Sequence, residues 1–82
     1  MPTERLTLLF PPALIKEPLI YKVSTQFRWI PNIRKARVTE SKGELVLDVT
    51  GTAEDLAQGI AYLEGLGVKV HRQSRKAGTK EP

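Results

Sequence analysis

One helix has both ends written into the sequence, and it constrains what can lie on either side. Thr52 stands immediately before Ala-Glu-Asp-Leu, with Asp55 three positions on. A threonine there accepts from an orphan first-turn amide, and an acid at the third position is expected to return a bond to the cap. Leu56, Ile60 and Leu63 recur at i, i+4 and i+7 as one apolar stripe, and Ala57 and Ala61 are small enough to predict close approach to a sheet. Glu54 and Asp55 complement the helix dipole in the first turn. Gly67 closes the helix because glycine takes the left-handed conformation at little cost. The flanking stretches alternate instead. In "ELVLDVTG" Leu45, Leu47 and Val49 face away from Val46 and Asp48, and in "VKVHR" Val68 and Val70 turn inward while Lys69 and His71 turn outward.

The first half of the chain repeats the pattern. "RLTLLF" (5–10) is a short apolar strand stopped by Pro11-Pro12, with Leu6, Leu8 and Phe10 on one face. A helix over 17–27 follows, carrying Pro18 in its first turn and Leu19, Ile20, Val23 and Phe27 at helical spacing. "NIRKARVTE" is a second strand, in which Ala36 and Val38 oppose Lys35 and Arg37, and "SKGE" (41–44) turns it into the third. The order is β-α-β-β-α-β. Two right-handed crossovers of this length give an α+β sandwich: four antiparallel strands in the order 4-1-3-2, with both helices on one face. The second strand then lies at an edge, where Pro31 costs no central hydrogen bond and Lys35 and Arg37 discourage edge-to-edge aggregation. Thr7, Leu9, Lys35, Arg37, Val46, Asp48 and Lys69 are expected on the face that the helices leave open.

Composition excludes several classes of function. Eighty-two residues suffice for one domain and leave little room for an enzyme's cleft. With no cysteine there is no disulfide framework, thiolate metal site or iron–sulfur cluster, which suits a reducing, cytoplasmic setting. No apolar run approaches the roughly 20 residues of a membrane span, and the N-terminus lacks a signal-peptide layout. Of the net charge of +4, residues 1–70 carry +1, from nine basic and eight acidic side chains. Most of the excess falls in "HRQSRKAGTKEP" (71–82), expected to be a disordered tail behind a domain of residues 1–70. Lys42-Gly43 opens the third strand as an RNA-recognition sheet would, but Glu44, Val46 and Val49 stand where its stacking aromatics belong. Base stacking contributes about 1–3 kcal/mol per base, so RNA binding ranks a distant third. There is no glycine-rich phosphate loop, His71 has no partner set for metal or acid–base work, and Trp29 and Tyr62 suit packing. No cofactor is expected, and the chain does not read as an enzyme.

Three segments, "LTLLFPPALIKEPLIYKVSTQF", "NIRKARV" and "KGELVLDVTGTAEDLAQGIAYLEGLGVKV", resemble the NIL domain family in order and spacing. The likeness is greatest to the stand-alone or fusion versions, with their Phe-Pro-Pro and Glu-Pro-Leu segments. The resemblance implies a ferredoxin-like fold. It also points to the regulatory domains of methionine-importing ABC transporters, where paired domains bind methionine and inhibit transport, and to fusions with ferredoxin-type cluster domains. The family's Asn-Ile-Leu motif falls here on Asn32, Ile33 and Arg34, with arginine in place of leucine. An amino-acid ligand needs a donor, an acceptor and an apolar slot. The resemblance therefore implies a head-group role for Asn32, a slot formed by Ile33 and Pro31, and a place for Arg34 beside a carboxylate or in solvent. A residue that only closes a turn or bulge is the plain alternative for Asn32. The expectation is a homodimeric amino-acid-binding regulatory domain, formed through the edge strand or the open face. The alternative is a ligand-free module that docks on a transporter ATPase or a ferredoxin-type protein.

Overall fold

The computed structural model describes residues 2–73. Of the basic tail expected to be disordered over 71–82, residues 71–73 belong to the last strand, and residues 74–82 lie outside the described residues. Four strands, β1 (Thr3–Phe10), β2 (Ile30–Val38), β3 (Gly43–Thr50) and β4 (Lys69–Gln73), alternate with helices α1 (Leu19–Phe27) and α2 (Ala53–Leu66). The sheet order is β2-β3-β1-β4, with every neighbouring pair antiparallel. This is the expected ferredoxin-like topology, with β2 at one edge.

Alternation in the strands and helical spacing in α1 and α2 meet in one core. Leu6, Leu8, Leu47, Val49 and Val68 from the sheet side pack with Leu19, Val23, Leu56, Ile60 and Leu63 from the helices, all at most 6 % exposed. Each fully buried leucine or valine removes apolar surface worth about 1.5–3 kcal/mol from water. Phe27 and Tyr62 join the helices at one margin, their rings 5.5 Å apart. No described helix is long and apolar enough to cross a membrane.

Several details depart from the sequence expectation. Helix α1 starts at Leu19 rather than 17: Pro18 precedes it in a non-helical conformation, and a 3-10 turn occupies Pro12–Leu14. A residue before proline is steered away from helical geometry, so Glu17 could not begin the helix. The β2–β3 turn spans 39–42 rather than 41–44, because the Thr39 hydroxyl accepts from the Lys42 amide at 3.1 Å while the Thr39 amide donates to the Lys42 carbonyl at 2.8 Å. Strand β4 runs from Lys69 to Gln73, one residue later at each end than "VKVHR" (68–72) implies. Arg72 there donates twice to the Glu4 carboxylate, at 2.5 and 2.8 Å, and that bond holds its guanidinium proton more tightly than usual.

At α2 the Thr52 hydroxyl accepts from the Asp55 amide at 3.0 Å, and Gly67 closes the helix at φ 109°. The return bond from the Asp55 carboxylate to Thr52 is not made; aspartate is a methylene shorter than the glutamate that usually reaches back. The close approach is also not at Ala57 or Ala61, which are exposed. It is at Gly59, on the buried stripe, where an added Cβ would lie 2.4 Å from the Trp29 ring. Trp29 is 3 % exposed and donates through Nε1 to the Asp55 carbonyl at 2.9 Å. To deliver this indole directly after α1, Arg28 turns left-handed at φ 60°, ψ 38°. The Ser24 carbonyl then accepts from the amides of both Arg28 and Trp29.

Two stability measurements check this joint. Gly59→Ala, which in an ordinary helix would gain about 1 kcal/mol, should instead lose at least about 1–3 kcal/mol in urea unfolding through overpacking against the indole. Arg28→Gly should gain up to about 1 kcal/mol by relieving the left-handed conformation. An unchanged or raised midpoint for Gly59→Ala would contradict the packing described.

Candidate functional site

Strand β2 carries all four residues singled out by the sequence, but it does not present them on one surface. Asn32 is paired with Asp48 on the open face, whereas Pro31 and Ile33 are paired with the buried Val49 and Leu47 on the helix-bearing face. Asn32 is therefore neither a turn nor the bulge residue. The register slips between Ile33 and Lys35, which makes Arg34 the inserted residue. The slip has a cause legible in the side chains. Trp29, Pro31 and Ile33 occupy odd positions on the helix side, while Ala36 and Val38 occupy even positions on that same side. Side chains alternate with a period of two, so the change of phase requires one extra residue.

The bulge turns Arg34 towards the open face, where its Nη1 lies 3.8 Å from Asp48. Arg5 reaches the same carboxylate from β1 through two bonds of 2.7 and 3.1 Å. The departure from the family's leucine thus has a structural account: Arg34 flanks a carboxylate that its own chain supplies.

The open face is ordered in rows across the strands. Asn32, Asp48, Arg5 and Gln73 form one, Lys35, Val46, Thr7 and His71 the next, and Arg37, Glu44, Leu9 and Lys69 a third. Every residue expected there is there. None of the chain's five aromatic residues is: Trp29 is buried, Phe10 packs against the core, and the remaining three lie on α1 and α2. A base-stacking platform is absent from this face, as the composition of the third strand implied.

Sequence reasoning missed an apolar hollow. A cavity of about 200 Å³ opens between the entry to α1 and the β2–β3 turn, lined by Phe10, Ile15, Pro18, Leu19, Val38 and Leu45 among others. Gly43 holds part of it open, since a Cβ there would come within 3.3 Å of Ile15 and Phe10. At about 3.4 Å of rise per residue, Val38 stands about 20 Å along β2 from Asn32, so the hollow and the motif are separate places. Among the described residues no group of three or more His, Cys, Asp or Glu side chains could hold a metal ion.

The family model of the NIL domain matches residues 4–72. Among solved structures, the chain is similar to the C-terminal domain of an ABC transporter ATP-binding protein from Enterococcus faecalis, with TM-score 0.73, 19% identity, and 84% of this chain and 81% of that one covered. A putative glycine cleavage system transcriptional repressor matches with TM-score 0.57 and 17% identity over 98% of this chain and 52% of its own. The de novo designed protein Foldit4 matches with TM-score 0.52 and 9% identity over 90% and 97% of the respective chains. No curated protein matches in sequence. At these identities the structures share the fold alone, and a designed protein among them shows that this fold by itself confers no particular activity.

The bulge can be tested directly. Arg34→Ala should cost under about 1 kcal/mol, since it removes only an exposed partner of Asp48. Deleting Arg34 should cost about 3 kcal/mol or more, because the lost phase change would turn Trp29 out of the core. Equal losses for the two variants in chemical denaturation would show that the phase change is not what the inserted residue supplies.

Proposed function

The chain belongs to the NIL domain family, and from that premise we propose that it is a small cytoplasmic regulatory module that binds methionine or a related sulfur amino acid as a homodimer. Its role in this reading is binding rather than catalysis. The observation that carries it is the edge strand. Of the six exposed large hydrophobic side chains in the described chain, three stand on β2: Ile30 at 62 %, Ile33 at 54 % and Val38 at 62 % exposed. An apolar strand edge left open invites a second strand, and a two-fold pairing of β2 with its copy covers it.

The charges on β2 favour a particular register. Centring the two-fold axis on Asn32 sets each Ile33 opposite the copy's Pro31 and each Arg34 opposite its Ile30, so no cation faces a cation. Pro31 withholds an amide from the pairing, and the two edges part there. A free amino acid brings its own ammonium and carboxylate to that gap. Asn32 donates to the carboxylate and accepts from the ammonium, Ile33 and Pro31 line the apolar side, and Arg34 adds positive charge beside the carboxylate.

The likeness to a transporter ATPase's C-terminal domain favours a second reading, in which the dimer carries no ligand and docks on a transporter or a ferredoxin-type protein. Calorimetric titration with methionine separates the two. The first reading expects saturable binding by the wild-type dimer and at least a tenfold weaker affinity for Asn32→Ala. Ile33→Lys should shift the sedimenting species to monomer and abolish the heat. An intact dimer that shows no heat at millimolar methionine would sink the amino-acid reading and leave the docking module.

A further inference from the structure

The open face of the sheet concentrates positive charge that the chain's near-neutral first 70 residues conceal. Five cations, Arg5, Arg34, Lys35, Arg37 and Lys69, point to it against two acids, Asp48 and Glu44. Asp48 is already engaged by Arg5 and flanked by Arg34. Among the described residues Lys35, Arg37 and Lys69 make no ion pair. Lys69 stands beside Leu9, 44 % exposed, and Lys35 beside the half-buried Val46, while Arg37 lies beyond Glu44 in the row of Leu9. An apolar centre inside a charged, solvated rim is the anatomy of a protein interface.

We propose that this face docks an acidic protein surface. A second copy of the chain is disfavoured, because two such faces would set like charges against each other. The segment beyond β4 is disfavoured for the same reason, since it carries Arg75, Lys76 and Lys80 against Glu81. Nucleic acid would find no aromatic to stack on and two carboxylates within the patch. A membrane would gain only two apolar side chains. Four strands about 4.8 Å apart and three rows about 7 Å apart give a face of about 400 Å², short of the roughly 800 Å² per partner of a standard stable interface. The contact is therefore transient and steered by charge, fast to form and sensitive to salt.

Arg34 belongs to both readings, so the test turns on Lys35, Arg37 and Lys69, which the amino-acid site does not use. A fluorescent Glu-rich dodecapeptide, an oligouridylate of equal charge and phosphatidylserine vesicles are each titrated with the full-length chain at two salt concentrations. The peptide is expected to bind most tightly and to weaken as salt rises. Lys35→Ser/Arg37→Ser and, separately, Lys69→Ser should each weaken it severalfold, with the far-ultraviolet spectrum and the response to methionine unchanged. Arg75→Ser/Lys76→Ser/Lys80→Ser should weaken it less than either. Tighter binding to the oligouridylate or the vesicles would overturn the proposal, as would a peptide affinity lost with the three distal cations and kept without Lys35 and Arg37.

Discussion

The seating of Trp29 on Gly59 is the contact on which the rest of the arrangement depends. The indole follows α1 by two residues, immediately precedes β2, and fills the space left where α2 has no side chain. Its Nε1–H donates to the Asp55 carbonyl, an oxygen that in a regular helix also accepts from residue 59. Three elements are joined at one ring. The left-handed Arg28 is the local strain that makes the joint possible, and it sets where β2 begins and which way its first side chain points.

From that starting phase the bulge at Arg34 follows. With Trp29 inward, Pro31 and Ile33 must also face the helices; with Ala36 and Val38 facing the same way, the strand needs one residue more than its partner. The outcome is chemical as well as geometric. Arg34 joins Arg5 around Asp48, Asn32 stands on the open face, and Ile33 stands behind it. A ligand that uses both Asn32 and Ile33 has to approach along the free edge of β2, where both sides of the strand can be reached.

Much of the fold was legible because periodicity and punctuation agreed. The apolar alternation around Leu45, Leu47 and Val49, the stripe Leu56, Ile60 and Leu63, the Thr52 cap and the Gly67 stop each state a local preference, and the tertiary structure keeps all of them. What escaped depended on contacts distant in sequence. Nothing local distinguishes Gly59 from Ala57 or Ala61 as the point of closest approach until Trp29 is known to lie there, although Gly59 does fall between Leu56 and Ile60 on the apolar stripe. The bulge did leave a signal, the shift from odd to even apolar positions across Arg34, readable once Trp29 is fixed inward. The candidate site was the least legible part, since a four-residue stretch does not state which faces of a strand its side chains take. The hollow behind Gly43 is assembled from four separate segments, and no one of them announces it.

We propose that the free edge of β2 around Asn32 is where an amino acid meets this domain. Amide chemical shifts of the uniformly labelled full-length chain, recorded while methionine is titrated, test that claim most directly. Progressive, saturable shifts confined to residues 30–35 and to the facing part of β3 are the predicted result. Shifts that gather instead around Phe10, Ile15 and Leu45, or a spectrum unmoved at millimolar methionine, would contradict it.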